Sequence, residues 1–396
     1  MRPLLLTLVL QAAAFCFSAV ASGTMFWRWF RMSSFDRQLV WALYGWFCGL
    51  SCIGSCLGVA TWAIYSNYLD LQIRSSQSAQ SGQPPAQIFV MVAQADRLLS
   101  AFLVLYAIEI LFLSVAKLFV LERIMRIAVP YGERIPRHWI LASQFVVGAV
   151  VIGNIVGLGA SSAAALFWNK TAELRSDAAF AFAANKTEVA SSFLNMALQK
   201  AADADRALSL QYVCEAAVLL FIIVAFVVAG ASFSRYSATV LHDLQLAADG
   251  DVDASARIDE FSTLRSRSEG RREAAAAGAR GKRQLRQVVI TAAIVFVTFL
   301  LRAVYSTTFA VANALQNDGS ECAATAAGPC DASCYNQYAL MRVWLVYTPE
   351  VQLIVVLITS PLTLLAALWG MTTEKTLQLM KGNKQTRAIT LQSRLI

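Results

Sequence analysis

Five ionisable residues fall inside the long apolar stretches of this 396-residue chain: Glu109, Lys117, Glu215, Arg302 and Glu350. Charge in hydrocarbon is costly, so such side chains turn towards a protein interior and find partners. With a helical rise of ~1.5 Å per residue, Glu109 lies about 15 Å from the expected outer end of its stretch, Arg302 roughly 9–14 Å, Glu350 about 10 Å and Glu215 about 6 Å. Three carboxylates and one guanidinium thus reach similar depth on four helices, and Tyr305, Tyr347 and Thr348 add hydroxyls nearby. Two kinds of chemistry are open to this set. Arg302 pairs with Glu350 or Glu109 and simply fastens helices, or the charges line a polar pocket in the outer half that takes a small charged ligand or passes a solute. Lys117 sits near the inner end of its stretch, where a long side chain snorkels to the surface.

Other chemistry is missing. The chain has no Walker or GxGxxG loop, no HExxH and no CxxC pair, and its two histidines, His138 and His242, lie outside the apolar stretches. A nucleophile–histidine–acid set or a histidine-built metal site within the membrane is hard to assemble from these residues. No cofactor and no metal is expected, and an enzyme is the less favoured class. Cys48, Cys52 and Cys56 recur every four residues and read as a small packing face on one helix, because no histidine or carboxylate accompanies them.

The elements that carry these residues follow from composition. The chain is 57% apolar and 15% charged. A bilayer core of ~30 Å needs about 20 apolar residues per helix. Seven blocks meet that length: 3–21, 39–66, 99–121, 139–167, 211–232, 287–311 and 343–368. None alternates with the two-residue period of a membrane β-barrel. The expected fold is an all-α polytopic membrane bundle, a single seven-helix transmembrane domain over 1–396.

Orientation rests on the segment 264–286, which carries eight Arg or Lys against two Glu. With that segment in the cytoplasm, the inside segments hold 22 Lys or Arg and the outside segments 8. That bias follows the positive-inside rule and accounts for the net charge of +8 without nucleic acid. The N-terminus is then outside and the C-terminus cytoplasmic. Arg265, Arg267, Arg271, Arg272, Arg280, Lys282, Arg283 and Arg286 are expected to meet anionic lipid at ~1 kcal/mol each. Ser266 and Ser268 between them are sites where phosphorylation would weaken that contact.

Two further features fit this orientation. The sequons at Asn169 and Asn185 both fall outside, with Asn185 farther from the membrane edge and the better acceptor. Cys214, Cys322, Cys330 and Cys334 also face that side and are disulfide candidates of undetermined pairing. The secretory pathway or plasma membrane is the expected location. The first block, ending Ala19-Val20-Ala21, resembles a cleavable signal peptide. Cleavage would invert every later loop, so the reading adopted is an uncleaved first helix.

Between the helices, 22–38 reads as a loop with an aromatic and basic anchor. Residues 74–87, rich in Ser, Gln, Gly and Pro, read as an exposed loop. Residues 168–210 read as an outside loop followed by a helical stalk from 188, 233–286 as a cytoplasmic loop with an acidic stretch at 249–260, and 369–396 as a tail. Gly153 and Gly157 form a GxxxG pair for close packing within the bundle, with Asn154 placed to bond across the contact. Pro349 and Pro361 predict kinks in the seventh helix.

Seven helices with this orientation resemble the plan of G-protein-coupled receptors. Glu122-Arg123-Ile124, ending the third helix and followed by Pro130, resembles the acidic-Arg-aromatic motif and downstream proline of rhodopsin-like receptors. Elsewhere the chain departs from that family: the second helix has no Asp, the sixth no Pro, the seventh no NPxxY, and no Cys caps the outer end of the third. The resemblance is one of topology and carries over no G-protein coupling. The leading expectation is a receptor-like or sensor membrane protein with an outer polar pocket. A secondary transporter or channel using the same charges is the runner-up, and a structural membrane protein the third class.

Overall fold

In the computed structural model, residues 2–32, 43–127, 137–254, 289–312 and 353–372 are described, with isolated positions between and beyond them. Within these residues the chain is helical. α1 is Arg2–Arg31, α2 Tyr44–Gln80, α3 Pro85–Ile127, α4 Arg137–Ala183 and α5 Thr187–Ala254. α6 is Val289–Ala312. α7 begins as a π-helical stretch, Leu353–Leu362, and continues as α-helix, Thr363–Met371. Six helices are long and apolar enough to cross a membrane, and the seventh has a shorter apolar part, Leu357–Met371. This is the architecture of an integral membrane helix bundle.

Several helices outrun a bilayer. α3, α4 and α5 have 43, 47 and 68 residues, or about 65, 70 and 100 Å at the helical rise, against a hydrocarbon core of ~30 Å. Part of the surplus stands at the end where α2 turns into α3 and α4 into α5, and α5 also continues past its apolar block at the other end, to Ala254. Both turns stop their helix in the same way. Gly82 takes φ +72 while the Gly82 and Gln83 N–H groups donate back to Ala79 and Ser78. Asn185 takes φ 58 while the Asn185 and Lys186 N–H groups donate back to Phe182 and Ala181. This is the Schellman arrangement, which needs a left-handed residue and so selects Gly or Asn. Phe89 and Phe182 stack at 5.5 Å between the two hairpins and set them side by side.

Four expected loops are shorter than the sequence implied. α1 runs on to Arg31, so Phe26, Trp27, Trp29 and Phe30 stack along its last turns, with Arg31 4.8 Å from the Trp27 ring. Residues 74–80 are helix, not loop. Their serines bond their own helix, as Ser75 and Ser76 do to the Gln72 carbonyl, and Arg74 pairs with Asp70 at 2.8 Å one turn back. Polar composition alone does not break a helix when no Gly or Pro interrupts it. Residues 168–183 belong to α4 for the same reason, and 249–254 belong to α5 although they include Gly250.

Neighbouring helices pack in sequence, α1 on α2, α2 on α3, α3 on α4 and α4 on α5, while α7 lies against α1 and α3. The α1–α2 contact is built on small residues. A β-carbon at Gly58 would lie 2.5 Å from Phe15, and one at Gly45 2.3 Å from Trp29. Cys52 faces Gly23 across the same contact, Ser55 bonds Ser18 at 3.0 Å and Cys48 is buried, so two of the three cysteines serve packing, whereas Cys56 is exposed. Two apolar cores result. One, towards the hairpins, gathers Phe15, Trp62, Tyr65, Phe102 and Phe309; the other gathers Tyr44, Phe47, Val120, Ile222 and Phe299.

Candidate functional site

The intramembrane charges meet at the seam between the two cores. A helix repeat of three to four residues puts Tyr106, Glu109, Leu113 and Lys117 on one face of α3. That face turns to a cavity of about 40 Å³, closed around by Glu215 of α5, Phe299 and Arg302 of α6, Thr359 of α7, Asn154 of α4 and Trp62 of α2. Such a volume holds a few waters, at ~10–15 Å³ each, and no larger ligand.

Arg302 donates from Nε to Glu215 Oε1 at 2.7 Å, with both side chains more than nine-tenths buried. Its guanidinium also lies 5.5 Å from the Tyr106 ring and 5.7 Å from that of Tyr305. Among the described residues the partner is therefore Glu215 and not Glu109, one of the two acids that the depth estimate implied; the other, Glu350, lies outside the described residues. The depth estimate set Glu215 nearest the outer end of its stretch, about 6 Å in, and the structure nevertheless brings it level with Arg302; the helical stalk expected from 188 is the start of α5. Glu109 is 3% exposed and lines the same cavity, yet forms no ion pair with Arg302 or Lys117. Its Oε2 and that of Glu215 are buried with no hydrogen-bond partner.

Lys117 does not snorkel. Its ammonium turns inward, donates to the Thr359 carbonyl at 3.1 Å and stands 5.2 Å from the Phe299 ring. The acceptor sits in the π-helical part of α7, where Pro361 withholds one backbone donor. Wide π turns recur at functional sites, and here one holds the only lysine of the cavity. Asn154 bonds its own helix, at 2.7 Å to the Val150 carbonyl, and does not bridge to α5. The close approach expected at the GxxxG pair falls on Gly153, where a β-carbon would lie 2.2 Å from Val218 of α5; Gly157 has ordinary room.

The structure thus brings Glu109, Glu215, Arg302 and Tyr305 together. Tyr347 and Glu350 lie outside the described residues. Sequence reasoning missed Trp62, Thr359 and Gln211 as parts of this region. Gln211 was legible, being one helical turn before Glu215. It lines a second cavity of about 20 Å³ that shares Ile110, Asn154, Glu215 and Val218 with the first, and its Oε1 is buried without a partner.

At the opposite end from the hairpins, side chains of three helices hold the end of α7. Tyr44 bonds Thr372 at 2.9 Å, Gln287 donates to the Trp369 carbonyl at 2.6 Å, and Arg123 donates to the Met371 carbonyl. Arg123 belongs to the Glu-Arg-Ile sequence noted above. Here it caps the last carbonyls of a neighbouring helix, where a cation is favourable.

Asn185 is exposed at its turn, whereas the other sequon places Thr171, fully buried, on α4. Cys214 is a free thiol beside Gly157 of α4. Cys322, Cys330 and Cys334 lie outside the described residues, as do Arg265, Arg267, Arg271, Arg272, Arg280, Lys282 and Arg283. Arg286 is exposed. Among the described residues no group of His, Cys, Asp or Glu has the makings of a metal site.

Fold and site together define a multi-pass α-helical membrane protein with a buried charge cluster. No protein family, no curated protein and no solved structure matches the chain.

Proposed function

We propose that this chain is a receptor-like or sensor protein of seven transmembrane helices, in which the charge cluster is the element that changes state. The hairpin end faces outside and the C-terminus the cytoplasm. The charge asymmetry of 22 to 8 and the exposed Asn185 at the hairpin end support that orientation. The secretory pathway supplies both the glycan at Asn185 and the oxidising side for the cysteines at 322–334. The basic run at 264–286 rests on anionic lipid.

One observation carries the reading. Four ionisable side chains from α3, α5 and α6 converge on a space of about 40 Å³, one of them, Lys117, bonds α7, and two carboxylate oxygens there lack partners. A space of that size supports a sensor over a solute path. A charge set that is only partly satisfied has more than one arrangement of similar energy, which is what a switch requires. Lys117 illustrates this. Its reach covers the Thr359 carbonyl on α7 and the cavity that Glu109 lines, so a shift of its ammonium alters how α7 is held.

A secondary transporter or channel is the second reading, favoured by the Glu109 carboxylate that has no cation beside it. Purified protein in sealed vesicles separates the two. A sensor gives no proton, ion or solute flux above protein-free vesicles. Flux that disappears in Glu215→Gln replaces the sensor with a transporter.

A further inference from the structure

On the lipid-facing side of α4 and α5, at the level of the charge cluster, an apolar groove encloses about 480 Å³. Phe145 and Ile152 of α4 and Phe221 of α5 form its rims, and Gly148, Gly153 and Val218 its floor. The volume falls in the range of small-molecule sites, and the lining is almost wholly apolar. Behind the floor lies the 20 Å³ cavity, which shares Gly153 and Val218 with the groove. That cavity in turn shares Glu215 and Asn154 with the main one. Gly153 and Val218, which line both spaces, stand against each other so closely that even a methyl group at Gly153 would collide.

The inner cavity has a definite chemical preference. Gln211 Oε1 and Glu215 Oε2 are buried hydrogen-bond acceptors without donors, and Gln211 is 3% exposed. Just beyond, Glu109 presents a carboxylate with no cation in contact. Lys117 and Arg302 balance the two carboxylates of the cavity, so what the site lacks is donors rather than charge. An incoming carboxylate or phosphate brings only acceptors. An alcohol offers one donor. An ammonium offers three donors to the unfilled oxygens of Gln211, Glu215 and Glu109, and is the head group that these acceptors select.

The geometry points to a lateral binding site for a lipophilic amine that enters from the bilayer. Its apolar chain lies in the α4–α5 groove, and its ammonium reaches Gln211 and Glu215 past Gly153 once Val218 rotates aside. The site names the ligand class for the sensor proposed above and rests on that reading only for the consequence of binding.

Cys214 lines the groove and supplies the readout. Protein in phosphatidylcholine nanodiscs is treated with a membrane-permeant maleimide, and alkylation of each cysteine is followed by mass spectrometry. Dodecylamine is expected to slow Cys214 several-fold and to leave Cys16, exposed on α1, unchanged. Dodecanol and dodecanoate are expected to protect far less. Gln211→Leu, which leaves the Arg302–Glu215 pair intact, should weaken dodecylamine about tenfold, the scale of one charge-assisted hydrogen bond. Gly148→Phe fills the groove where a β-carbon meets no atom within 4 Å, so the variant folds and should lose protection. Equal protection by dodecanol, absence of protection by dodecylamine, or protection that survives Gly148→Phe overturns the assignment. None of these results bears on the sensor reading, which the vesicle flux measurement decides by itself.

Discussion

The Arg302–Glu215 pair in the bundle core and the Arg175–Asp96 pair near the hairpins have the same 2.7 Å contact, and each joins two helices. Their surroundings differ. Around Asp96 the packing is complete. Ala93, Ala172, Ala179 and Ala190 are buried on the flanking helices, Phe89 stacks on Phe182, and Asp96 leaves no orphan oxygen. Arg175 keeps 19% of its side chain in contact with solvent. Around Glu215 the packing is incomplete, with a cavity, two orphan carboxylate oxygens and an ammonium held by one backbone carbonyl. The hairpin end is built to be rigid. The core holds charges that stay costly unless something else arrives, and this is where a ligand or a second arrangement gains most.

The largest effect should come from breaking the core pair. Arg302→Met leaves Glu215 buried and unpaired, a loss of about 3–5 kcal/mol. Thermal unfolding in detergent should show it as a sharply lower transition or a loss of folded protein. Arg302→Met with Glu215→Gln should recover much of the loss, and Arg302→Met with Glu109→Gln should not. Rescue by Glu109→Gln alone would mean that the core pair has been assigned to the wrong acid.

The sequence already showed that Glu109, Glu215 and Arg302 share a depth, because apolar blocks and helical rise are one-dimensional quantities. The choice of partner was not legible. It depends on which faces of α3, α5 and α6 meet, which depth along a single axis does not contain. Lys117 failed for a related reason. Snorkelling follows from position along the axis, whereas its actual direction follows from α7 offering a carbonyl across the cavity. The polar extensions of α2 and α4 were missed because Ser, Gln and Asp read as loop when they are only the wet face of a helix. Two GxxxG pairs in α2, Gly45–Gly49 and Gly54–Gly58, were legible as close-packing sites; three of these four glycines touch aromatic or leucine side chains too closely for any β-carbon.

The seam of the core should also be more sensitive than its lipid face. Gly153→Val places a branched side chain against Val218 and forces α4 from α5, at about 1–3 kcal/mol for overpacking. Gly148→Ala, five residues away on the same helix, meets no neighbour and should stay within about 0.5 kcal/mol of the parent. Equal tolerance at both positions would show that α4 and α5 do not pack as described.

The hairpin pair should respond less than the core pair. Asp96→Asn leaves Arg175 able to reach water, so the loss is about 1–2 kcal/mol. It should appear as faster proteolysis near the turns at 81–84 and 184–186, with the core transition little changed. A loss as large as that of Arg302→Met would erase the distinction between a complete region and an incomplete one.

The smallest effect on stability belongs to the sequon at the tip of the second hairpin, and it tests which side of the membrane the rigid end occupies. Asn185 holds φ 58 as the residue that ends α4, so replacing Asn185 risks disturbing the turn itself. Thr187→Ala removes the sequon without touching that residue, and since the chain enters α5 there through an ordinary helical position, stability should move by a few tenths of a kcal/mol at most. In protein from a glycosylation-competent host, endoglycosidase should lower the parent mass by one glycan and leave Thr187→Ala unchanged. Thr171→Ala should not abolish the shift, because that threonine is buried and Asn169 lies on a helix face close to the apolar span. A parent that carries no glycan, together with protease cleavage within 264–286 from outside intact cells, would turn the bundle over and place the hairpins in the cytoplasm.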